Sequence, residues 1–272
     1  MSKTLATGRI RVMIPALGFG LYKVPPNKAE EVVVEGVKAG YRLVDGAEFY
    51  ANEVEAGRAL RHDDIDRSSL IVTSKFWGEE SQDRDAVLAS FDASERALGS
   101  IDLYLIHWPR PERGQFVDVW RTFIELRDAG RVRAIGVSNF SEEQIMRLID
   151  ETGEVPLVNQ VELHPYLQQA ELRAFHAEHD ILTQAWSPLG RGNVLTDPTI
   201  VQIADAHGVS PAQVVIRWHL QLGNSVIPKS ERAERLRSNA DVYGFELGDA
   251  QMAAIAELDR GTHYGTAPAD RQ

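Results

Sequence analysis

No cysteine occurs in the 272 residues. That absence removes disulfide frameworks, cysteine-containing zinc sites, iron–sulfur clusters and thiol nucleophiles together, because each requires the sulfur. Positive charge is scarce relative to negative: 29 Lys and Arg stand against 40 Asp and Glu, a formal net charge of −11. Nucleic acid is therefore not an expected partner, since phosphate contacts need clustered cations, and an anionic membrane surface makes the same demand. Long apolar runs are missing too. No stretch approaches a membrane span, and the N-terminal MSKTLATGRIRVMIPALGFG breaks its apolar residues with Arg9, Arg11 and Pro15, unlike the continuous core of a secretory signal. Cytoplasm is the expected compartment. The glycine fingerprint of a dinucleotide fold is absent as well: Gly18-Phe19-Gly20 runs into Leu21-Tyr22-Lys23 and Pro25, not into a helix with a third glycine.

What is present is alternation. Short Val-, Ile- and Leu-rich runs recur near Leu17, Leu43, Val72, Leu105, Ile135, Val158, Thr183 and Val226, mostly roughly 25 to 30 residues apart, as in β-α units. Stretches of helical period lie between them, among them Ala29 to Lys38, Arg84 to Leu98, Val117 to Ala129 and Ala170 to His179. Ser141-Glu142-Glu143-Gln144 reads as a capping box, Ser210-Pro211 puts proline at the first helical position, and Gly40, Gly99, Gly130 and Gly223 each follow a helix. Runs such as SLIVTSKF and IDLYLIHW are apolar on both faces, which is the mark of parallel sheet. With no linker or composition break, the pattern predicts one (β/α)8 TIM barrel domain over residues 1–272. An open doubly wound sheet would need the missing glycine fingerprint. Leu5 to Ile14 is expected to form a short N-terminal β-hairpin plugging the barrel floor, and the longer last interval to hold extra helices at Thr199 to Ala206 and Ala212 to Leu222, near the C-terminal end.

Chemistry in such a barrel gathers where strands end. Asp45 ends YRLVD, Lys75 ends LIVTSK, His107 ends LYLIH, and Tyr50 lies just beyond Asp45. A lone Asp or Lys is most often a solvated charge; three ionisable groups closing apolar strands at one rim must pair or function. Tyrosine, with an ordinary pKa of about 10, is a poor acid at neutral pH. A lysine ammonium beside it favours the phenolate, and an aspartate keeps that cation in place. The set is thus expected to act as a tuned proton donor, with His107 hydrogen-bonding a substrate oxygen or helping to relay a proton. Tyr22, Phe49, Trp77 and Trp108 also follow strand ends and are expected to wall a pocket that favours flat or apolar compounds.

In order and spacing, GYRLVDGAEFYANE, SKFW, DLYLIHWP, IGVSNF, VNQVELHP, WSPLGRG and IPKS followed by Arg235 and Asn239 resemble the aldo-keto reductases along nearly the whole chain, and most of all the bacterial members similar to 2,5-diketo-D-gluconate reductase. The resemblance implies reduction of aldehydes, ketones and dicarbonyls with NADPH by a monomer, with Asp45, Tyr50, Lys75 and His107 as the catalytic tetrad and Tyr50 as proton donor. It places Ser138, Asn139 and Gln160 at the nicotinamide carboxamide, Trp186 against the nicotinamide ring, and Ser187, Leu189, Gly190 and Arg191 along the pyrophosphate. Lys229, Ser230, Arg232 and Arg235 gather at a predicted helix start, where amides and cations favour a 2′-phosphate. Asn239 would contact adenine. Two departures stand out: Gly46 where the family commonly has threonine or another small side chain, and Ser238 where it has glutamate. A binding or regulatory subunit that keeps the cofactor but barely turns over is the alternative, disfavoured by the intact tetrad.

Other features read as structural. His164 precedes a strand-ending proline, Trp120, Phe123 and Leu126 have the spacing of a buried helix face, and His176 with His179 on one helix lacks a third metal ligand in register. No His-x-His pair of the kind a metal-dependent hydrolase uses occurs among the eight histidines, and the acidic pairs Glu79-Glu80 and Asp63-Asp64 read as surface charge. The C-terminal GTHYGTAPADRQ is short and is expected to cover little of the pocket.

Overall fold

The structure, a computed structural model, describes residues 4–7 and 10–268. Strands β1 (Thr4–Thr7) and β2 (Ile10–Pro15) pair antiparallel as the expected hairpin; residues 8 and 9 between them lie outside the described residues. Eight parallel strands come next in sequence order: β3 (Phe19–Gly20), β4 (Leu43–Asp45), β5 (Ile71–Phe76), β6 (Leu103–Ile106), β7 (Ala134–Ser138), β8 (Val158–Glu162), β9 (Leu182–Trp186) and β10 (Ser225–Val226). The two ends of this row meet. Leu17 bridges Val226 in parallel, with Gly18 N donating to Val226 O at 2.9 Å and Val226 N to Ala16 O at 2.9 Å. The sheet is therefore a (β/α)8 barrel, and the open-sheet alternative falls.

Around it run α1 (Pro26–Lys38), α2 (Glu53–Leu60), α3 (Arg84–Leu98), α4 (Phe116–Asp128), α5 (Glu142–Thr152), α6 (Ala170–Glu178), α7 (Pro198–His207), α8 (Pro211–Gln221), α9 (Ala233–Ala240) and α10 (Asp249–Ala256). Ser141 and Ser210 form the capping boxes, each exchanging bonds with the glutamine three residues on. Trp120, Phe123 and Leu126 are buried, as their spacing requires. Helix α10 escaped the periodicity because it has no apolar stripe; only Ile255 in it is buried.

Strand parity positions the site. Side chains of successive strand residues point to opposite faces. Outward-facing Val44, Val72, Tyr104, Ile106, Val137, Val161 and Ala185 join the helices in one large core. Inward-facing Leu43, Ile71, Leu103, Leu105, Ala134, Val158 and Leu182 pack with Val12 and Ile14 of the hairpin in a second, smaller core. So β2 seals the floor with apolar side chains. Two or four residues further along the same inward faces come Asp45, Lys75, His107, Ser138, Gln160 and Trp186. Each of these six strands thus carries apolar side chains at its lower end and polar ones at its upper end.

The buried histidines serve the walls. His176 on α6 engages Asn159 through Nε2 (3.0 Å) and Thr183 through Nδ1 (2.8 Å), using both ring nitrogens to fix α6 against β8 and β9. His219 on α8 meets the Pro188 carbonyl at 3.4 Å. Burial pushes His176 down to about 4 and His219 to about 3. Both are neutral in the folded protein while the unfolded chain protonates them near pH 6.5, so their stabilising contribution is complete above 6.5 and is lost as pH falls through the folded values. Urea unfolding midpoints should hold above pH 7 and fall steadily from 6.5 towards 4, with unfolding free energy declining by up to about 2.7 kcal/mol per pH unit from these two groups. A midpoint flat down to pH 4.5 would contradict their burial as neutral rings.

Candidate active site

Lys75 is the centre of the site. Its Nζ donates to Asp45 Oδ2 at 2.8 Å, to the Gly46 carbonyl at 2.7 Å and to Tyr50 Oη at 3.1 Å. An ammonium has three protons and no lone pair; all three are thus directed, and the phenolic oxygen of Tyr50 is an acceptor in its bond to Lys75. The Tyr50 proton is left to point elsewhere. Asp45 is 2% exposed and Lys75 fully buried, so the pair forms without water to share the charge. The second oxygen of Asp45 accepts from Gln160 Nε2 at 2.7 Å.

The expected lowering of the Tyr50 pKa by Lys75 is not what the structure shows. Burial pushes Tyr50 well above its ordinary value, and the Asp45 carboxylate adds to the rise. The physical reason is pairing: with Asp45 beside it, Lys75 presents a near-neutral pair, too weak to offset the desolvation of a phenolate. Burial also pushes Lys75 down, with Asp45 as the main opposing influence. Tyr50 is accordingly a protonated phenol with a cation on its oxygen. The His107 ring stands edge-on, 5.8 Å between centroids and 79° from the tyrosine plane.

Tyr50 sits in a single 3₁₀ turn, Glu48–Tyr50, closed by Ala51 in the left-handed region at φ 53°. Buried Asn52 anchors the chain just after this turn, donating through Nδ2 to the carbonyls of Leu21 (3.0 Å) and Val24 (2.9 Å). That ties the loop bearing Tyr22 to the turn bearing Tyr50. Above the tetrad opens a pocket whose walls include all the aromatic residues expected there, Tyr22, Phe49, Trp77 and Trp108, with His107. Phe49 and Trp77 stack at 3.9 Å and 18°. Ser138, Asn139, Gln160, Trp186 and Ser187 line the same pocket, and the cations Arg191 and Lys229 border it. Leu189, Gly190, Ser230, Arg232, Arg235 and Asn239 do not; they continue beyond it, from the cap of the 190–196 turn to the two ends of α9. Arg232 opens α9 with no side-chain cap on the first-turn amides.

The amide side chains are wired before any ligand arrives. Gln160 Nε2 is held by Asp45 and by Gln184 Oε1 (2.7 Å), and Gln184 in turn donates to Ser225 Oγ at 3.0 Å. Both amide protons of Gln160 are engaged, which leaves its oxygen to accept. Asn139 Nδ2 donates to the His107 carbonyl (3.0 Å) and Ser138 Oγ (3.1 Å), while its oxygen accepts from Trp186 Nε1 at 2.9 Å. Strain accumulates here: Asn139, Ser187 and Arg191 all have positive φ, at 64°, 47° and 53°.

Some residues of the site escaped the sequence. Gln184 could have been found, since a glutamine at inward parity in an apolar strand must have a partner. Thr266 had no such signal, and it corrects the reading of the C-terminal segment as covering little: Thr266 lines the pocket. The segment is held by the buried Glu162 carboxylate, which accepts from Tyr264 N (3.0 Å) and Gly265 N (2.9 Å). A side chain at position 265 would lie 2.3 Å from the Trp186 ring, so only glycine permits this approach.

The family comparison agrees with this geometry: the aldo/keto reductase family profile matches residues 16–260. The chain belongs to the aldo/keto reductase family. It is 51% identical over 257 residues to an aldo-keto reductase of Mycolicibacterium smegmatis, covering 94% of this chain and 93% of that one. It is 50% identical over 246 residues to 2,5-diketo-D-gluconic acid reductase B of a Corynebacterium species, covering 90% and 89%. A crystal structure of a Gox0644 mutant in complex with NADPH superposes with a TM-score of 0.94 at 45% identity, covering 99% of this chain and 98% of that one.

In this aldo/keto reductase the Gly46 departure leaves the tetrad's wiring intact, because position 46 acts through its carbonyl on Lys75 and its amide on Thr73 O (3.0 Å). Removing one member of a buried ion pair strands the other. Lys75→Met is expected to destabilise this reductase by about 3–5 kcal/mol, and adding Asp45→Asn to recover most of it. Urea denaturation of the two single variants and the double variant tests this; strictly additive losses would contradict the pair.

Proposed function

We propose that this aldo/keto reductase reduces aldehydes, ketones and dicarbonyls to alcohols with NADPH, and that Tyr50 is the proton donor. The observation that carries the reading is the threefold donation of Lys75, which turns the Tyr50 hydroxyl proton away from the ion pair and makes it available at the pocket. NADPH supplies the hydride. A carbonyl oxygen seated between Tyr50 and His107 accepts the Tyr50 hydrogen bond; as negative charge grows on it, the proton crosses and Lys75, already on the phenol oxygen, stabilises the phenolate left behind. Asp45 holds the ammonium in place through that change. Tyr22, Phe49, Trp77 and Trp108 exclude water and present flat faces to the rest of the substrate.

The residues present fit NADPH. The free oxygen of Gln160 suits an amide N–H of the carboxamide, with Ser138 and Asn139 beside it, and the Trp186 ring offers an aromatic face to the nicotinamide. Ser187, Leu189, Gly190 and Arg191 would hold the pyrophosphate. Lys229, Ser230, Arg232 and Arg235 would hold the 2′-phosphate at the uncapped start of α9, with Asn239 at the adenine. The NADPH complex of the Gox0644 mutant, on the same fold, supports this choice. We infer one barrel domain acting as a cytoplasmic monomer; among the described residues no helix is long and apolar enough to cross a membrane.

The test is NADPH oxidation against a panel of dicarbonyls, aromatic aldehydes and sugar-derived ketones. Tyr50→Phe should lower kcat by a factor of about 100 or more, the usual contribution of a positioned acid, and leave NADPH affinity unchanged. Turnover retained in that variant would overturn the role of Tyr50. NADPH binding by the wild type without turnover of any panel member would favour a regulatory subunit.

A further inference from the structure

Glu48 closes no strand and carries no signal in the sequence, yet its carboxylate lies at a junction. It precedes Phe49 and Tyr50 in the 3₁₀ turn, but it does not line the pocket. One of its oxygens accepts from the backbone N–H of Trp77, just beyond the end of β5, and the other from Ser90 Oγ on α3. Ser90 Oγ also lies 3.1 Å from Tyr104 Oη on β6, and Tyr104 is fully buried, stacked on Phe123 at 4.6 Å. One carboxylate therefore joins the turn bearing Phe49 to the segment bearing Trp77, and both to a rigid part of the core.

We propose that Glu48 is a positioning residue for substrate specificity: it braces the Phe49–Trp77 stack and so sets the wall against which a bulky aromatic carbonyl substrate packs. The stack needs a brace. Phe49 is 45% exposed, and a single aromatic pair is too weak an interaction to hold a three-residue turn in one place. Charge-assisted bonds to a backbone N–H and a hydroxyl are stronger and directional. Trp77 has further supports: Glu79 accepts from its Nε1 and the Arg110 guanidinium lies 5.1 Å from its ring. Arg110 also reaches the backbone, donating through Nε to the Trp77 carbonyl at 3.3 Å; Glu48 takes the Trp77 amide and ties it to the turn bearing Phe49. None of the Glu48 partners is among the residues assigned to NADPH, so the effect should fall on one class of substrate and spare the cofactor.

The inference rests on the pocket being the carbonyl site, and the experiment separates the two. KM and kcat are measured for naphthaldehyde and for methylglyoxal, a dicarbonyl too small to need the wall, together with NADPH affinity by tryptophan fluorescence. Glu48→Ala should raise KM for naphthaldehyde about tenfold, change that for methylglyoxal by less than about twofold, and leave kcat and NADPH affinity near wild type. Glu48→Gln, which keeps an acceptor for Trp77 N–H, should restore most of the loss. Glu48→Asp, one methylene too short to reach both partners, should show the same split as alanine and serves if the alanine variant does not fold. Equal shifts for both aldehydes and NADPH would mark Glu48 as merely structural and overturn the proposal, as would no shift at all. If the wild type reduces neither compound, the brace is read from binding of naphthylmethanol by fluorescence quenching, where loss of affinity in the alanine variant supports it and unchanged affinity overturns it; the reductase reading itself stands or falls on the full panel.

Discussion

A lysine ammonium sealed in the upper barrel, with three acceptors for its three protons, is the constraint on which the rest of this structure depends. A charge there is tolerable only with a partner, and Asp45 supplies it at 2.8 Å. The two other protons go to a backbone carbonyl and a phenol oxygen. The pocket is shaped by holding those atoms still: the parity that brings Asp45 and Lys75 inward, Gln160 and Gln184 locking the far side of the carboxylate, and Asn52 fixing the chain after Tyr50. In the proposed mechanism the acid is made by orientation, with a cation on the phenol oxygen, rather than by a lowered resting pKa.

The barrel makes this possible by separating functions along each strand. Inward residues are apolar where the hairpin closes the floor and polar two to four positions later, where loops close the roof. The outward residues belong to a separate core with the helices. Side chains at the rim can therefore change the pocket without disturbing either core, and strained backbone at Asn139, Ser187 and Arg191 is carried by the framework beneath it.

Much of this was legible in the sequence, for physical reasons. Strands buried on both faces write continuous apolar runs, so all eight were visible, and a polar residue closing such a run has few explanations; that exposed Asp45, Lys75 and His107. The capping box at Ser141 and the proline opening the helix after Ser210 are local chemistry and read true. Long-range pairing was not legible. The partnership of Gln160 with Gln184, the hold of Glu162 on the C-terminal segment and the bracing by Glu48 join residues far apart in sequence, and no local pattern marks them. The electrostatic sign at Tyr50 was misread for the same reason: neighbours in space were known, but the balance between burial and a self-compensating ion pair needs the depth of the site.

The most direct test of the central claim is an ultraviolet difference titration of the protein without cofactor, comparing wild type with Tyr50→Phe so that only the phenolate of Tyr50 appears. With Tyr50 buried beside a paired Lys75, no phenolate attributable to it should form below pH 10. A tyrosinate band growing in between pH 7 and 9, absent from the phenylalanine variant, would show Lys75 acting as an unpaired cation and would contradict the account.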